Sequence, residues 1–211
     1  TNLSHEFWFD QGVFEKLEGS VNYNRYCSQE DVLRSWRLDA RIDVTLRSGW
    51  KFEYSHLEEF KLFEKDFRND RDRVEVEWDA RDGRRVYVYY STGFNYDSDL
   101  TLYGAGFRWP IGDKWRFDYS LTKLELEPDP DNDSTTILVF ETIYAFNPDM
   151  YAKLFVQTNS SIDKENIQAL WVWRFKPPFG SLQLAYQTGT SERGQESEQD
   201  DTIFSKLAWV F

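Results

Sequence analysis

The stretch WRLDARIDVTLR, residues 36–47, alternates without a break. Trp36, Leu38, Ala40, Ile42, Val44 and Leu46 fall on one side, and Arg37, Asp39, Arg41, Asp43, Thr45 and Arg47 on the other. Successive side chains of an extended strand point to opposite faces, so a strict period of two predicts a strand with one apolar and one charged face. Soluble strands typically run about five or six residues. A strand that crosses a bilayer at a tilt needs about 9–11, and this run supplies that length on its own.

The pattern recurs along the chain. Val74, Val76, Trp78 and Ala80 alternate with Glu75, Glu77, Asp79 and Arg81, and Trp115, Phe117, Tyr119 and Leu121 alternate with Arg116, Asp118, Ser120 and Thr122. Ile167, Ala169, Trp171, Trp173 and Phe175 continue it, and Ile203, Ser205, Leu207, Trp209 and Phe211 finish it. Thirteen strand-like segments begin near residues 3, 18, 34, 49, 72, 84, 99, 114, 135, 149, 165, 180 and 201. Tight connections carry turn residues at Ser48-Gly49, Asp82-Gly83, Pro110 to Asp113, Asn147-Pro148-Asp149 and Lys176 to Gly180. Those between them read as longer or more acidic: Ser28 to Asp31, Glu64 to Asp72, Asn95 to Asp99, Glu127 to Ser134, Ser160 to Glu165 and Thr190 to Asp201. Outer-membrane barrels keep short turns on the periplasmic side and longer loops outside.

The expected fold is therefore all-β: an antiparallel up-and-down transmembrane β-barrel of about twelve strands, within ten to fourteen. It reads as one domain over 1–211. Counting back from Phe211 at the periplasmic side places Thr1 at the outer rim, against the usual even strand count. Either the first segment does not span, or the chain is the carboxy-terminal part of a larger barrel. No basic, apolar leader is visible at Thr1, so an exported chain reads as mature or trimmed.

Composition agrees with a barrel and excludes other classes. Aromatic residues reach 18% and charged residues 29%, and the mean hydropathy is −0.68. No apolar run approaches the roughly 18 residues of a spanning helix. A barrel needs only every second residue to be apolar. With 25 basic against 37 acidic side chains the net charge is −12, which argues against a nucleic-acid partner. A single cysteine, Cys27, excludes an intrachain disulfide and a multi-cysteine zinc site.

Residues 145–194, AFNPDMYAKLFVQTNSSIDKENIQALWVWRFKPPFGSLQLAYQTGTSERG, resemble the carboxy-terminal barrel of a family of uncharacterised outer-membrane proteins. That family pairs a family-9-like carbohydrate-binding domain with a large barrel. Its features are matched by the Asn-Pro-Asp turn, the strand ending at Phe155 to Asn159, the Trp171 to Phe175 strand and the Leu182 to Gln187 strand. Residues 103–126, YGAGFRWPIGDKWRFDYSLTKLEL, also fit. The resemblance covers about half the chain, implies a longer parent and a glycan-binding partner domain, and brings no catalytic residues.

Three constellations carry the functional reading. Arg37, Asp39, Arg41, Asp43, Glu75, Glu77, Asp79, Arg81, Arg116, Asp118, Glu141, Lys153 and Arg174, with Lys51 and Glu53, occupy polar-face positions. They read either as a selectivity-setting pore lining or as a salt-bridged interior. Trp50, Trp78, Trp109, Trp115, Trp173, Trp209 and Phe211 read as a membrane girdle, with sugar stacking as the alternative. The final TIFSKLAWVF fits the signal read by the barrel-assembly machinery. Asp129, Asp131 and Asp133 resemble the start of a calcium loop, but Ser134 stands where its glycine belongs and Phe140 where its glutamate does. They read better as a solvated loop, with divalent bridging to lipopolysaccharide as the alternative. His5 and His56 are the only imidazoles, and neither sits in a recognisable catalytic motif.

The expectation is a non-enzymatic protein of the bacterial outer membrane, without a cofactor, in contact with lipid and lipopolysaccharide. Its role reads as a passive pore or membrane scaffold. The alternatives are a non-conducting subunit of a surface complex, a glycan-binding outer-membrane protein, and a soluble carbohydrate-binding sandwich.

Overall fold

The computed structural model describes residues 1–79, 82–128, 134–162, 164–176, 180–190 and 199–209. Its strands are β1 (Asn2–Trp8), β2 (Phe14–Cys27), β3 (Leu33–Leu46), β4 (Trp50–Leu62), β5 (Asp66–Asp79), β6 (Arg85–Asn95) and β7 (Ser98–Ile111). They continue with β8 (Trp115–Glu127), β9 (Thr135–Asn147), β10 (Met150–Asn159), β11 (Lys164–Lys176), β12 (Gly180–Thr190) and β13 (Gln199–Trp209). One turn of 3-10 helix, Ser160–Ile162, precedes β11. The strands follow one another in chain order as a single antiparallel up-and-down sheet. The all-β fold read from alternation is the observed one, with thirteen strands.

Two connections differ from their sequence reading. Asp66 to Asp72, read as an acidic loop, forms the first half of β5, paired with β4 from Leu62↔Asp66 to His56↔Asp72. Its polar residues show no alternation, so only the partner strand reveals them as extended. Asn95 to Asp99, read as one of the longer or more acidic connections, closes on the two residues Tyr96 and Asp97, with φ of 48° and 73°. A hairpin turn of this kind normally carries Asn-Gly. Here the Tyr96 N–H donates to Asn69 Oδ1 at 2.9 Å, and the ring packs on Phe67 and Phe63.

By its contacts the chain falls into two compact units: Thr1–Ala105 with Lys123–Ser134, and Gly106–Thr122 with Thr135–Phe211. In the first unit, register sets the two faces of the sheet. One face carries cross-strand rows such as Leu17–Val44–Phe52–Val76–Val88 and Gly19–Ile42–Tyr54–Val74–Tyr90. The other carries Glu18–Asp43–Glu53–Glu75–Tyr89 and Asn24–Arg37–Glu59–Asn69. Burial is inverted relative to a water-soluble protein. Ile42 is 52% exposed and Val74 51%, whereas Asp43 is 4%, Glu59 7% and Asn69 3% exposed. In the second unit the apolar rows Tyr144–Ala152–Trp171–Leu184 and Phe140–Val156–Ile167–Thr188 lie on one face. Leu184 and Trp173 are exposed there, while Val172, on the opposite face, is 3% exposed.

On β3 the apolar face runs from Trp36 to Leu46, ten steps of about 3.3 Å, or about 33 Å along the strand. Trp50 and Trp78 face each other across β4 and β5 at one end of it.

Gly49 turns β3 into β4 with φ of +89°, and a Cβ there would meet the Asp79 carbonyl oxygen at 2.2 Å. Gly49→Ala is expected to cost about 2 kcal/mol or more, from the left-handed backbone together with the clash. A lowered urea midpoint of the folded protein would show it; an unchanged midpoint would contradict this account of the turn.

Candidate functional site: a sheltered ion-paired wall

The polar face of the first unit carries ion pairs of two kinds, between residues two apart on one strand and between neighbouring strands in register. Arg41 holds Asp43 through Nε at 2.7 Å and Nη2 at 3.1 Å, and reaches Glu53 through Nη2 at 2.7 Å. Lys51, one strand over, contacts Asp43 at 3.0 Å and Glu53 at 3.8 Å. Asp43 and Glu53 face each other directly across β3 and β4. Two carboxylates opposed in this way repel, and the two cations offset that. On β2, Lys16 pairs with Glu18 at 2.7 Å. On β5, Arg73 pairs with Glu75 at 2.6 Å, while Arg85 of β6 binds Glu77 and approaches Glu75 at 3.8 Å. The Arg73 guanidinium lies 3.8 Å from the Tyr89 ring centroid, and Arg85 lies over Tyr87. Tyr87 and Tyr89 stack nearly parallel, 6.3 Å apart.

Nearer the 28–32 connection, Arg37 grips Asp39 with Nε at 2.8 Å and Nη2 at 3.0 Å. Buried Glu59 accepts from Asn69 Nδ2 at 2.8 Å and pairs with Lys61 at 3.0 Å. Lys61 also donates to the Tyr96 hydroxyl at 2.9 Å.

In the second unit the sheltered face joins Arg116 to Asp118 at 2.8 Å and to Glu141 at 3.1 Å. Lys153 meets Glu141 at 2.7 Å, and Arg108 binds Asp118. Farther along, the same face turns neutral. Gln157 opposes Asn166 and Gln168 opposes Gln187, beside Leu170 and Val172. Charge is therefore concentrated on β2 to β6 and around Glu141.

The structure places Arg37, Asp39, Arg41, Asp43, Glu75, Glu77, Arg116, Asp118, Glu141 and Lys153 together on these walls. Asp79 stands opposite Arg85 at the end of β5. Arg174 is exposed beside the register shift at the end of β11. Arg81 lies outside the described residues, as do Asp129, Asp131, Asp133 and Phe211. Among the described residues no group of three or more His, Cys, Asp or Glu is placed to hold a metal ion. Each of the six tryptophans Trp50, Trp78, Trp109, Trp115, Trp173 and Trp209 sits within three residues of a strand end.

Sequence reading missed Lys16, Glu18, Glu59, Lys61, Asn69, Arg73 and Arg85. Arg73 lies one alternation step before Glu75 and was within reach of the period, whereas Asn69 lies in the polar stretch that shows none. It also missed a partner for His56. His56 Nδ1 lies 2.8 Å from Asp72 Oδ1, and the Tyr54 hydroxyl donates to the same oxygen at 2.6 Å. This cluster lies on the exposed face, next to Glu58 and Asp70. The contact orients the imidazole, and neither partner of that oxygen is a serine or cysteine nucleophile.

No protein-family model and no curated protein matches the chain.

Proposed function

We propose that the sheet closes into a β-barrel of the bacterial outer membrane and serves as a passive, water-filled pore. The observation that carries this reading is the inverted burial: Asp43, Glu59 and Asn69 are sheltered while Ile42, Val74 and Leu184 are exposed. In water such a surface would aggregate, because contiguous apolar patches of this kind mark membrane or protein contacts. In lipid the same surface is the stable one. Side chains nearly fill a barrel of about eight strands, and about sixteen leave a wide channel. A closed barrel of thirteen strands then holds a narrow one. Mixed-sign pairs along its wall favour weak ion selectivity, and lipid, lipopolysaccharide and the assembly machinery acting on the last strand are its proposed contacts. The resemblance of residues 145–194 implies the same placement, beside a separate glycan-binding domain.

Planar-bilayer recording tests the pore. Ohmic steps with a reversal potential near zero in a salt gradient are expected, and Asp43→Asn with Glu53→Gln is expected to shift it toward anion preference. Protein that inserts and never conducts would overturn the pore and leave the second reading, a non-conducting subunit of a surface complex. One observation favours that reading: His56, Glu58, Asp70 and Asp72 interrupt the apolar face of β4 and β5, where a protein neighbour would be better solvated than lipid.

A further inference from the structure

The apolar face of the first unit carries charge on β4 and β5 that the strands beside them lack at the same level. One cross-strand row reads Tyr23–Leu38–Glu58–Asp70–Phe94, and the next, toward the 63–65 connection, reads Arg25–Trp36–Phe60–Arg68. Glu58 and Asp70 are carboxylates set directly opposite each other, an arrangement that repels. On the polar face the same arrangement, Asp43 against Glu53, is offset by Arg41 and Lys51. Nothing within the unit offsets Glu58 and Asp70. The side chains of Arg25, Glu58, Arg68 and Asp70 are exposed and make no hydrogen bond or ion pair among the described residues. A boundary between lipid and water would change a whole row together, yet Tyr23, Leu38 and Phe94 stay apolar beside Glu58 and Asp70. The charge is therefore a local patch, and unpaired charge facing lipid is costly. Although the chain carries −12 in all, this patch holds two free cations and two free carboxylates around the rings of Trp36 and Phe60. A purely acidic or purely basic partner would meet like charge on half of it. A second copy related by a twofold axis meets its complement, because an isologous contact needs both halves of each pair on one surface. Arg68 stands one alternation step from Asp70 on β5. An axis between β4 and β5 thus brings each Arg68 to Glu58 and Asp70 of the other copy.

We propose that this face joins two copies of the chain side by side in the membrane. The proposal rests on the apolar face being the outer surface of a membrane-inserted sheet, and its test is made without current. Sedimentation equilibrium of the full chain in density-matched detergent micelles reads it directly, and a dimer is expected. Arg68→Glu, and separately Glu58→Lys combined with Asp70→Lys, are each expected to weaken the dimer about tenfold or more, because like charges then face each other across the axis. In a mixture of these two variants, heterodimers are expected in excess of either homodimer, since every cation again meets a carboxylate. Lys114→Glu, at an exposed turn of the other unit, is expected to leave the dimer unchanged. Should a charge reversal fail to fold, Arg68→Gln, expected to weaken the dimer severalfold, and the state of the unaltered chain still decide. An unaltered chain that stays monomeric overturns the proposal, as does a dimer indifferent to both reversals. Association abolished by EDTA and unmoved by Arg68→Glu would assign the carboxylates to a divalent cation and overturn it too. A monomer that conducts sinks the dimer alone, and a dimer that never conducts sinks the pore alone.

Discussion

Ile42→Arg is expected to destabilise the inserted protein by about 2–4 kcal/mol, the cost of a guanidinium facing lipid near the bilayer midplane. Ile42 lies near the middle of the Trp36 to Leu46 face and is half exposed. A water-soluble sheet would accept arginine there with a change of at most about 0.5 kcal/mol. The two environments thus predict different outcomes from one substitution. Arginine at Trp36, at the edge of the band, is expected to cost about 1 kcal/mol or less. Thr45→Arg, on the sheltered face, is expected to be tolerated by comparison. The measurement is the urea midpoint of protein folded into lipid vesicles, with Ile42→Leu as the control. A neutral Ile42→Arg, in protein that disperses in buffer without detergent, would end the membrane reading and return the soluble sandwich.

The second large effect concerns the Asp43 hub, and it is asymmetric. Removing both cations, by Arg41→Met with Lys51→Met, leaves the buried Asp43 carboxylate and its opposed neighbour Glu53 without the two cations that contact them, with Lys16 acting only from farther off. A loss of about 3–5 kcal/mol is expected. Asp43→Leu alone is expected to cost about 1 kcal/mol. Arg41 and Lys51 are partly exposed and still have Glu53 at 2.7 and 3.8 Å. Adding Asp43→Leu to the double variant is expected to recover much of the loss, since an apolar replacement of a whole buried cluster is often neutral. Equal costs for the cation pair and the carboxylate would show that the cluster is solvated and that the wall does not shelter it.

Much of this arrangement is legible in the chain. The alternation at 36–47 assigns the residues of β3 from Trp36 to Leu46 to the faces on which the structure shows them, and most segment starts fall within two residues of the start of an observed strand. The misses share a cause. Asp66 to Asp72 is too polar to display a period, and the Tyr96–Asp97 turn lacks the glycine that advertises such turns. Both depend on the neighbouring strand: β5 on its pairing with β4, and the turn on Asn69 and Phe67. The wall was half visible, because Asp43 and Arg41 are neighbours on one strand, while Glu59, Asn69 and the His56–Asp72 contact join residues 10 and 16 positions apart.

What the sequence determined by itself is which side chains share a face, because alternation across a strand follows from backbone geometry at each residue and needs no partner. What only the tertiary structure decided is which of the two faces is sheltered and which charge meets which. Shelter comes from the side chains of the neighbouring strands, and register fixes every cross-strand pair, so that a slip of one residue would exchange the faces of a whole strand. The chain therefore carries the alternating pattern in its local order, while the Asp43 hub and the Glu59–Asn69 contact exist only once β3, β4 and β5 are aligned.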